Sequence, residues 1–232
     1  MVEGFATVVK AVTNTGELAG EIVLRLKSLE PCNVPNVRRL RREYSKRIAS
    51  LPATSVIQLA LNLLRTPSIF PRFVAYELVQ HHKEAAAKLD ASRLESLGKG
   101  IDSWGAVDTF ACYLSGPAWR EGQVPDSLIK KWARSKDRWW RRAAVVSTVA
   151  LNNNARGGNG DTKRTLSVCR LVVDDRDDMI VKALSWALRE LSKKAPNAVE
   201  AFISENQTRL APRVLREVSN KLKTGLKNPK VY

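Results

Sequence analysis

The sequence predicts an all-α fold, an α-solenoid of stacked antiparallel helical pairs, on three observations. Apolar residues recur at helical spacing along nearly all of the 232 residues. Strand-like alternation is missing, and the breaks between periodic stretches are Pro, Gly or Asn/Asp clusters. The length suits one domain or one short repeat array, with enough chain to bury a core. A hydrophobic content of 44% is that of a folded protein.

Taken in order, the periodic stretches predict helices over 2–13, 17–29, 36–50, 54–65 and 71–89. Others follow over 92–99, 103–114, 126–134, 138–151, 162–173, 178–194, 195–206 and 211–222. Pro71 suits a first helical position, and Asp126, Asp161 and Asp178 suit N-caps. Short helices on short links, with apolar stripes on nearly all of them, point to HEAT- or armadillo-like pairs within a single domain over 1–232. No consensus recurs at a strict period. The Asn/Gly-rich stretch 152–161 reads as a flexible loop inserted in that domain, because helical patterning resumes after it. Residues 223–232 read as a basic, fraying tail.

Lys+Arg 39 against Asp+Glu 23 gives a net charge of +16. Such a balance favours a polyanionic partner, nucleic acid or an anionic membrane surface. The membrane is the weaker option: the longest apolar run, 143–151, contains Ser147 and Thr148 and is too short to span. Glu3 lies where a secretory signal would be basic. Cys32, Cys112 and Cys169 are odd in number and widely spaced, which fits buried, reduced thiols in a cytoplasmic protein. Two adjacent histidines, His81 and His82, make a poor zinc site. The expectation is a cytoplasmic, metal-free, monomeric protein that associates with nucleic acid.

One carboxylate is oddly placed. Trp104, Val107, Ala111 and Leu114 repeat as the buried stripe of a helix, and Asp108 falls on that same side. A carboxylate on an apolar face is costly without a partner or a task.

Three basic regions accompany it. In 38–47, Val37, Leu40, Tyr44 and Ile48 form the apolar stripe. That leaves Arg38, Arg39, Arg41, Arg42, Lys46 and Arg47 on the remaining surface, offset locally by Glu43 alone. Such a run is either a solvated helix face or a phosphate-contacting one. In 178–194 the core stripe is Ile180, Leu184, Ala187, Leu188 and Leu191. Trp186 points away from it, onto the face of Lys182, Arg189 and Lys193. An indole among cations suits nucleic acid, and a Trp packed on a neighbouring repeat is the alternative. In 131–142, Arg142 follows Trp139 by three residues and lies on the apolar side, whereas Arg141 points elsewhere. Arg142 either pins a phosphate or forms a buried pair with Asp108.

Together these segments resemble the AlkD family of DNA glycosylases, HEAT-like-repeat enzymes of alkylation repair. The matching pieces are Ser103-Trp104-x-x-Val107-Asp108, Trp132-Ala133-x-Ser135-x-x-x-Trp139-x-x-Arg142-Ala143 and the run from Val181 to Glu190 that holds Ser185-Trp186-Ala187-Leu188-Arg189. They cover much of 100–195; the N-terminal half agrees only in helical pattern and basic texture. The resemblance implies that Asp108 is the catalytic carboxylate, Trp104 and Trp186 the aromatic walls of the lesion site, and Arg142 the backbone-binding arginine. Ser103 and Gly105 depart from the family pattern, where some members carry another Trp and an Asp, and the loop is longer than usual.

The implied substrate is double-stranded DNA containing purines alkylated at N3 or N7, and no cofactor is implied. Such a purine is already cationic and leaves as a neutral base, so no strong general acid is needed. The barrier is the oxocarbenium character on the deoxyribose. A carboxylate beside the sugar stabilises that cation and positions water; indole faces add about 0.5–2 kcal/mol each by cation–π attraction. The resemblance further implies a duplex held on the solenoid's concave basic face, without a tight base-flipping pocket. Two other classes compete: a non-catalytic HEAT-like module binding damaged or branched DNA, and a protein–protein scaffold, which the charge disfavours.

Overall fold

A computed structural model describes residues 14–229, and every regular element in them is helical. The helix expected over 2–13 lies outside the described residues. Two compact units divide between Gly100 and Ile101.

The first unit holds α1 (Thr15–Lys27), α2 (Val34–Arg47), α3 (Ala53–Leu63), α4 (Ile69–Gln80), α5 (Lys83–Ala86) and α6 (Ala91–Gly98). Asn14 caps α1, Asn33 caps α2 and Asp90 caps α6, each with its side chain accepting backbone N–H groups of the first turn. α3 packs on α1 and α4, and α2 packs on α4. The stripe Val37, Leu40, Tyr44, Ile48 is buried as expected. The single helix expected over 71–89 is broken instead. At His82 the backbone is extended, and the imidazole Nδ1 accepts the Ala85 N–H at 3.2 Å, so this side chain caps a new short helix. Pro71 falls at the third residue of α4, still within its first turn, where no N–H is missed.

The second unit holds α7 (Trp104–Phe110), a π-turn (Ala111–Ser115), α8 (Gly116–Arg120), α9 (Asp126–Ala133), α10 (Arg138–Asn152), α11 (Thr162–Leu171), α12 (Asp178–Leu191), α13 (Pro196–Glu205) and α14 (Pro212–Thr224). α10 is the hub: every residue from Arg142 to Asn152 is buried, and α7, the π-turn, α8, α9, α11 and α12 all pack on it. α12 in turn packs on α14.

The helix begun at Trp104 does not stop near Leu114. One widened turn carries it on, and Ser115 and Gly116 then fall against α10. Ser115 Oγ and Ser147 Oγ lie 2.7 Å apart. A Cβ on Gly116 would sit 2.6 Å from the Ala150 Cβ and 2.7 Å from the Ser147 carbonyl oxygen, so only glycine fits.

Two caps differ from expectation by one residue. Asp177, not Asp178, accepts the N–H that starts α12, and Asp178 pairs with Lys182 and Arg213. Asp126 is the first residue of α9, and its carboxylate accepts the Trp119 indole N–H at 2.8 Å. Asp161 caps α11 as expected. Among the thiols, Cys112 and Cys169 are buried, and burial pushes both up to about 12. Cys32 is exposed, a correction to the expectation of three buried thiols: it follows Pro31 in the link between α1 and α2, outside either apolar stripe.

Candidate active site

Asp108 sits on α7 with its side chain 19% exposed, and Arg142 reaches it from α10 with its own side chain only 7% exposed. Arg142 Nε donates to Asp108 Oδ1 and Nη2 donates to Oδ2, both at 2.9 Å. The remaining arm, Nη1, donates to the Met179 carbonyl in the first turn of α12. The guanidinium is therefore shared among three elements, and the Asp108 carboxylate is clamped in a fixed plane. Of the two arrangements open from sequence, this is the buried Arg–Asp pair. Burial still outweighs that pairing and holds the Asp108 carboxyl above the usual carboxylate range, against the pull of Arg142 and then Arg156.

Trp104 is not part of the buried stripe. It is 62% exposed, whereas Val107, Ala111 and Leu114 are buried. A helical side chain lies back over the turn that precedes it, and Trp104 is the first residue of α7, with no turn behind it. An indole standing free one turn before the carboxylate is available to a ligand, which a core tryptophan is not. Gly105 lends its carbonyl to the Thr109 hydroxyl at 2.8 Å, an ordinary backbone role.

Trp186 leaves the α12 core stripe, whose residues Ile180, Leu184, Ala187, Leu188 and Leu191 are all buried. It lines a cleft of about 420 Å³ between α12 and α14, with Lys182, Arg189, Arg213, Glu217 and Lys227. Glu217 is buried at its base. Ser185 donates to it at 2.5 Å, and Lys227 and Arg189 stand at 3.4 and 3.9 Å. Trp186 follows Met179 by seven residues, about 10 Å along the same face of α12. Lys193, expected on this face, bonds Glu190 at 2.7 Å.

The basic run on α2 divides into two classes. Glu77 of α4 takes Arg38 and Arg41 on its two oxygens at 2.9 and 3.0 Å, and Glu21 of α1 takes Arg47. Arg41 is buried, contrary to the expectation that all six cations lie on the surface: it follows Val37 by four residues and shares its face. Arg39, Arg42 and Lys46 are exposed. Arg141, half-buried, bonds Asp175 at 2.7 Å and the carbonyls of Ser135 and Lys136.

Sequence patterning marked the stretch after α10 as a loop but gave no sign of the turn in it or of a role for Arg156. A single turn (Asn154–Arg156) carries the Arg156 guanidinium onto the face of Tyr113, 4.9 Å from the ring centroid. Arg120 donates to the Arg156 carbonyl at 2.5 Å and to that of Ala150 at 3.2 Å. Asn152, buried, bonds Thr165 Oγ1 and the Asp161 N–H. The available signal was that Arg156 is the one charge in an otherwise neutral run.

Among the described residues, no cluster of His, Cys, Asp and Glu could hold a metal ion, and no helix is long and apolar enough to cross a membrane. A family model described as DNA alkylation repair enzyme matches residues 31–222 of the chain. No curated protein matches it.

Proposed function

The chain belongs to the family of DNA alkylation repair enzymes, and from that premise we propose that it is a monofunctional DNA glycosylase acting on cationic N3- and N7-alkylated purines in duplex DNA. The observation that carries the proposal is the Asp108 carboxylate, held in one plane by Arg142 beside the exposed indole of Trp104. In this reading the C1′–N bond breaks with its electron pair leaving on the base, which departs neutral. Positive charge grows on the deoxyribose, and the Asp108 anion lies where that charge develops. Water then bonds to C1′ and gives up a proton to solvent. Trp104 and Trp186 offer indole faces to the cationic nucleotide, and no metal is needed because the leaving group is already activated.

For Arg142 the geometry supports a role beyond the phosphate contact that the resemblance implied. Each of its three nitrogens donates within the protein, so it orients the carboxylate, and other cations are better placed to take phosphate. Exposed Arg39, Arg42 and Lys46 serve as duplex contacts within a HEAT-like array; Lys182 and Arg189 beside Trp186 join them only by exchanging Asp178 and Glu217 for phosphate. Arg38, Arg41, Arg47, Arg141 and Lys193 are held by carboxylates and act chiefly as structure.

A second reading has support in the same pair. Both Asp108 oxygens accept from Arg142, as befits a purely structural ion pair in a non-catalytic module that binds damaged DNA. One experiment separates the two. Duplex DNA containing N7-methylguanine is incubated with the wild type and with Asp108→Asn, free base is measured by chromatography, and binding is followed by fluorescence anisotropy. The glycosylase reading expects release by the wild type and a loss of about 10²–10³-fold in the variant with binding retained. Binding without release by the wild type gives the module reading.

A further inference from the structure

We propose that Arg156 is the phosphate-binding cation of this site, held ready by the turn after α10 and by the ring of Tyr113. The inference rests on the DNA-acting reading above, and it adds a cation to a site where Arg142 is already engaged by Asp108 and the Met179 carbonyl.

The placement is built. Tyr113 follows Asp108 by five residues and lies in the π-turn that continues α7, so ring and carboxylate lie on neighbouring turns of one continuous helical stretch. Arg156 stacks on that ring at 4.9 Å. Its charge reaches Asp108 and draws the carboxyl down, second to Arg142 among cations. The same guanidinium acts on the Cys112 thiol between them.

The backbone that carries Arg156 is specified at several points. Arg120 Nη1 bridges the carbonyls of Ala150 and Arg156. Gly158 N–H and Gly160 N–H return to the carbonyls of Asn153 and Leu151, each at 3.0 Å. A Cβ at Gly158 would collide with the Ala150 carbonyl oxygen and the Leu151 backbone, so only glycine fits. Asn153 anchors the turn to α12 through Glu190 at 3.0 Å.

What this device presents is an unspent cation. Among the described residues, the Arg156 guanidinium has no carboxylate within ion-pair distance, whereas Arg142, Arg141, Arg120 and Arg164 each have one. A guanidinium resting on an aromatic face keeps its N–H edge open, and the stack restricts its rotamers before a ligand arrives. The edge geometry matches two phosphate oxygens. A phosphodiester bound there would lie within the electrostatic reach of Asp108, on the same helical stretch as Tyr113, which suits a carboxylate acting on a deoxyribose.

The test uses the full chain and undamaged duplex DNA, so it does not depend on base release. Affinity is measured by anisotropy over a range of salt concentrations for the wild type, Arg156→Gln and Arg156→Lys. The expected result is a loss of about 0.9 in the slope of log affinity against log salt for the glutamine variant, the value for one phosphate contact, and retention of the slope by lysine. In parallel, the wild-type protein is treated with phenylglyoxal with and without DNA, and modified arginines are located by mass spectrometry. Arg156 is expected to be modified in the free protein and protected in the complex. An unchanged slope in a folded Arg156→Gln variant overturns the proposal. So does equal modification of Arg156 with and without DNA, a result that stands even if the variant does not fold. Slope loss at Arg156 in a protein that releases no base would leave this inference intact and remove the glycosylase reading.

Discussion

Arg142 and Asp108 meet as a two-bond fork, Nε to Oδ1 and Nη2 to Oδ2, between helices that the chain separates by 34 residues. The fork is the point where stability and proposed chemistry oppose each other. Burial lifts the Asp108 carboxyl above its ordinary range even with the guanidinium in contact. Burying the Asp108 charge is therefore costly, and removing Arg142 leaves that charge stranded.

Replacing Arg142 by Gln strands the Asp108 charge and leaves the Met179 carbonyl without its side-chain donor. The expected cost is about 3–5 kcal/mol, the range for breaking a buried ion pair, read from urea unfolding midpoints. Adding Asp108→Asn to that variant should return part of the loss, because the stranded charge is gone. A double variant no more stable than Arg142→Gln would show that the fork is incidental to the packing of α10 on α7.

The raised carboxyl sets a pH dependence with opposite signs for activity and fold. The proposed chemistry needs the Asp108 anion, so release of N7-methylguanine should fall as pH drops through the folded-state pKa. That acid limb should lie above the ordinary aspartate value of 3.8, and Asp108→Asn should lack it. For stability, the folded chain holds this proton at pH values where the unfolded chain has already lost it. Asp108 thus contributes most below the unfolded value, and the contribution is lost as pH rises through the folded one. Single-turnover release rates and urea midpoints, taken on one preparation as pH rises through the folded-state pKa, should therefore move in opposite directions for this group. A limb centred at or below 3.8 would contradict the burial argument.

Local periodicity made the helices legible, because a buried stripe such as Ile180, Leu184, Ala187, Leu188 and Leu191 is written within a single element. It also placed Asp108 and Arg142 on inward faces, yet it could not say that they faced each other. The same limit applies to the α2 cations. Their nearest acidic neighbour in sequence is Glu43, but the carboxylates that hold Arg38, Arg41 and Arg47 arrive from α4 and α1. Trp104 was misplaced for a different reason: an apolar spacing continues up to the first residue of a helix, while the turn needed to cover that residue does not exist. Arg156 escaped because an Asn/Gly run carries no period. Its conformation is set by Arg120 and by the close approach of Gly158 to Ala150, contacts made across other elements.

The division of the α2 cations leads to a separation of effects within one helix. Glu77 is buried and holds two arginines, one of them buried with it. Glu77→Ala should cost about 3–5 kcal/mol, chiefly by stranding Arg41, with a lowered melting temperature by circular dichroism. Arg39, Arg42 and Lys46 are exposed, and their joint replacement by alanine should leave the melting temperature within about 2 °C of the wild type, as expected for surface sites. If they contact the duplex, that triple variant should lose up to about 2.7 in the log–log salt slope for DNA binding, roughly 0.9 per phosphate. A full slope with all three cations removed would exclude this face of α2 from the duplex and leave the net charge of +16 to be accounted for by the second unit.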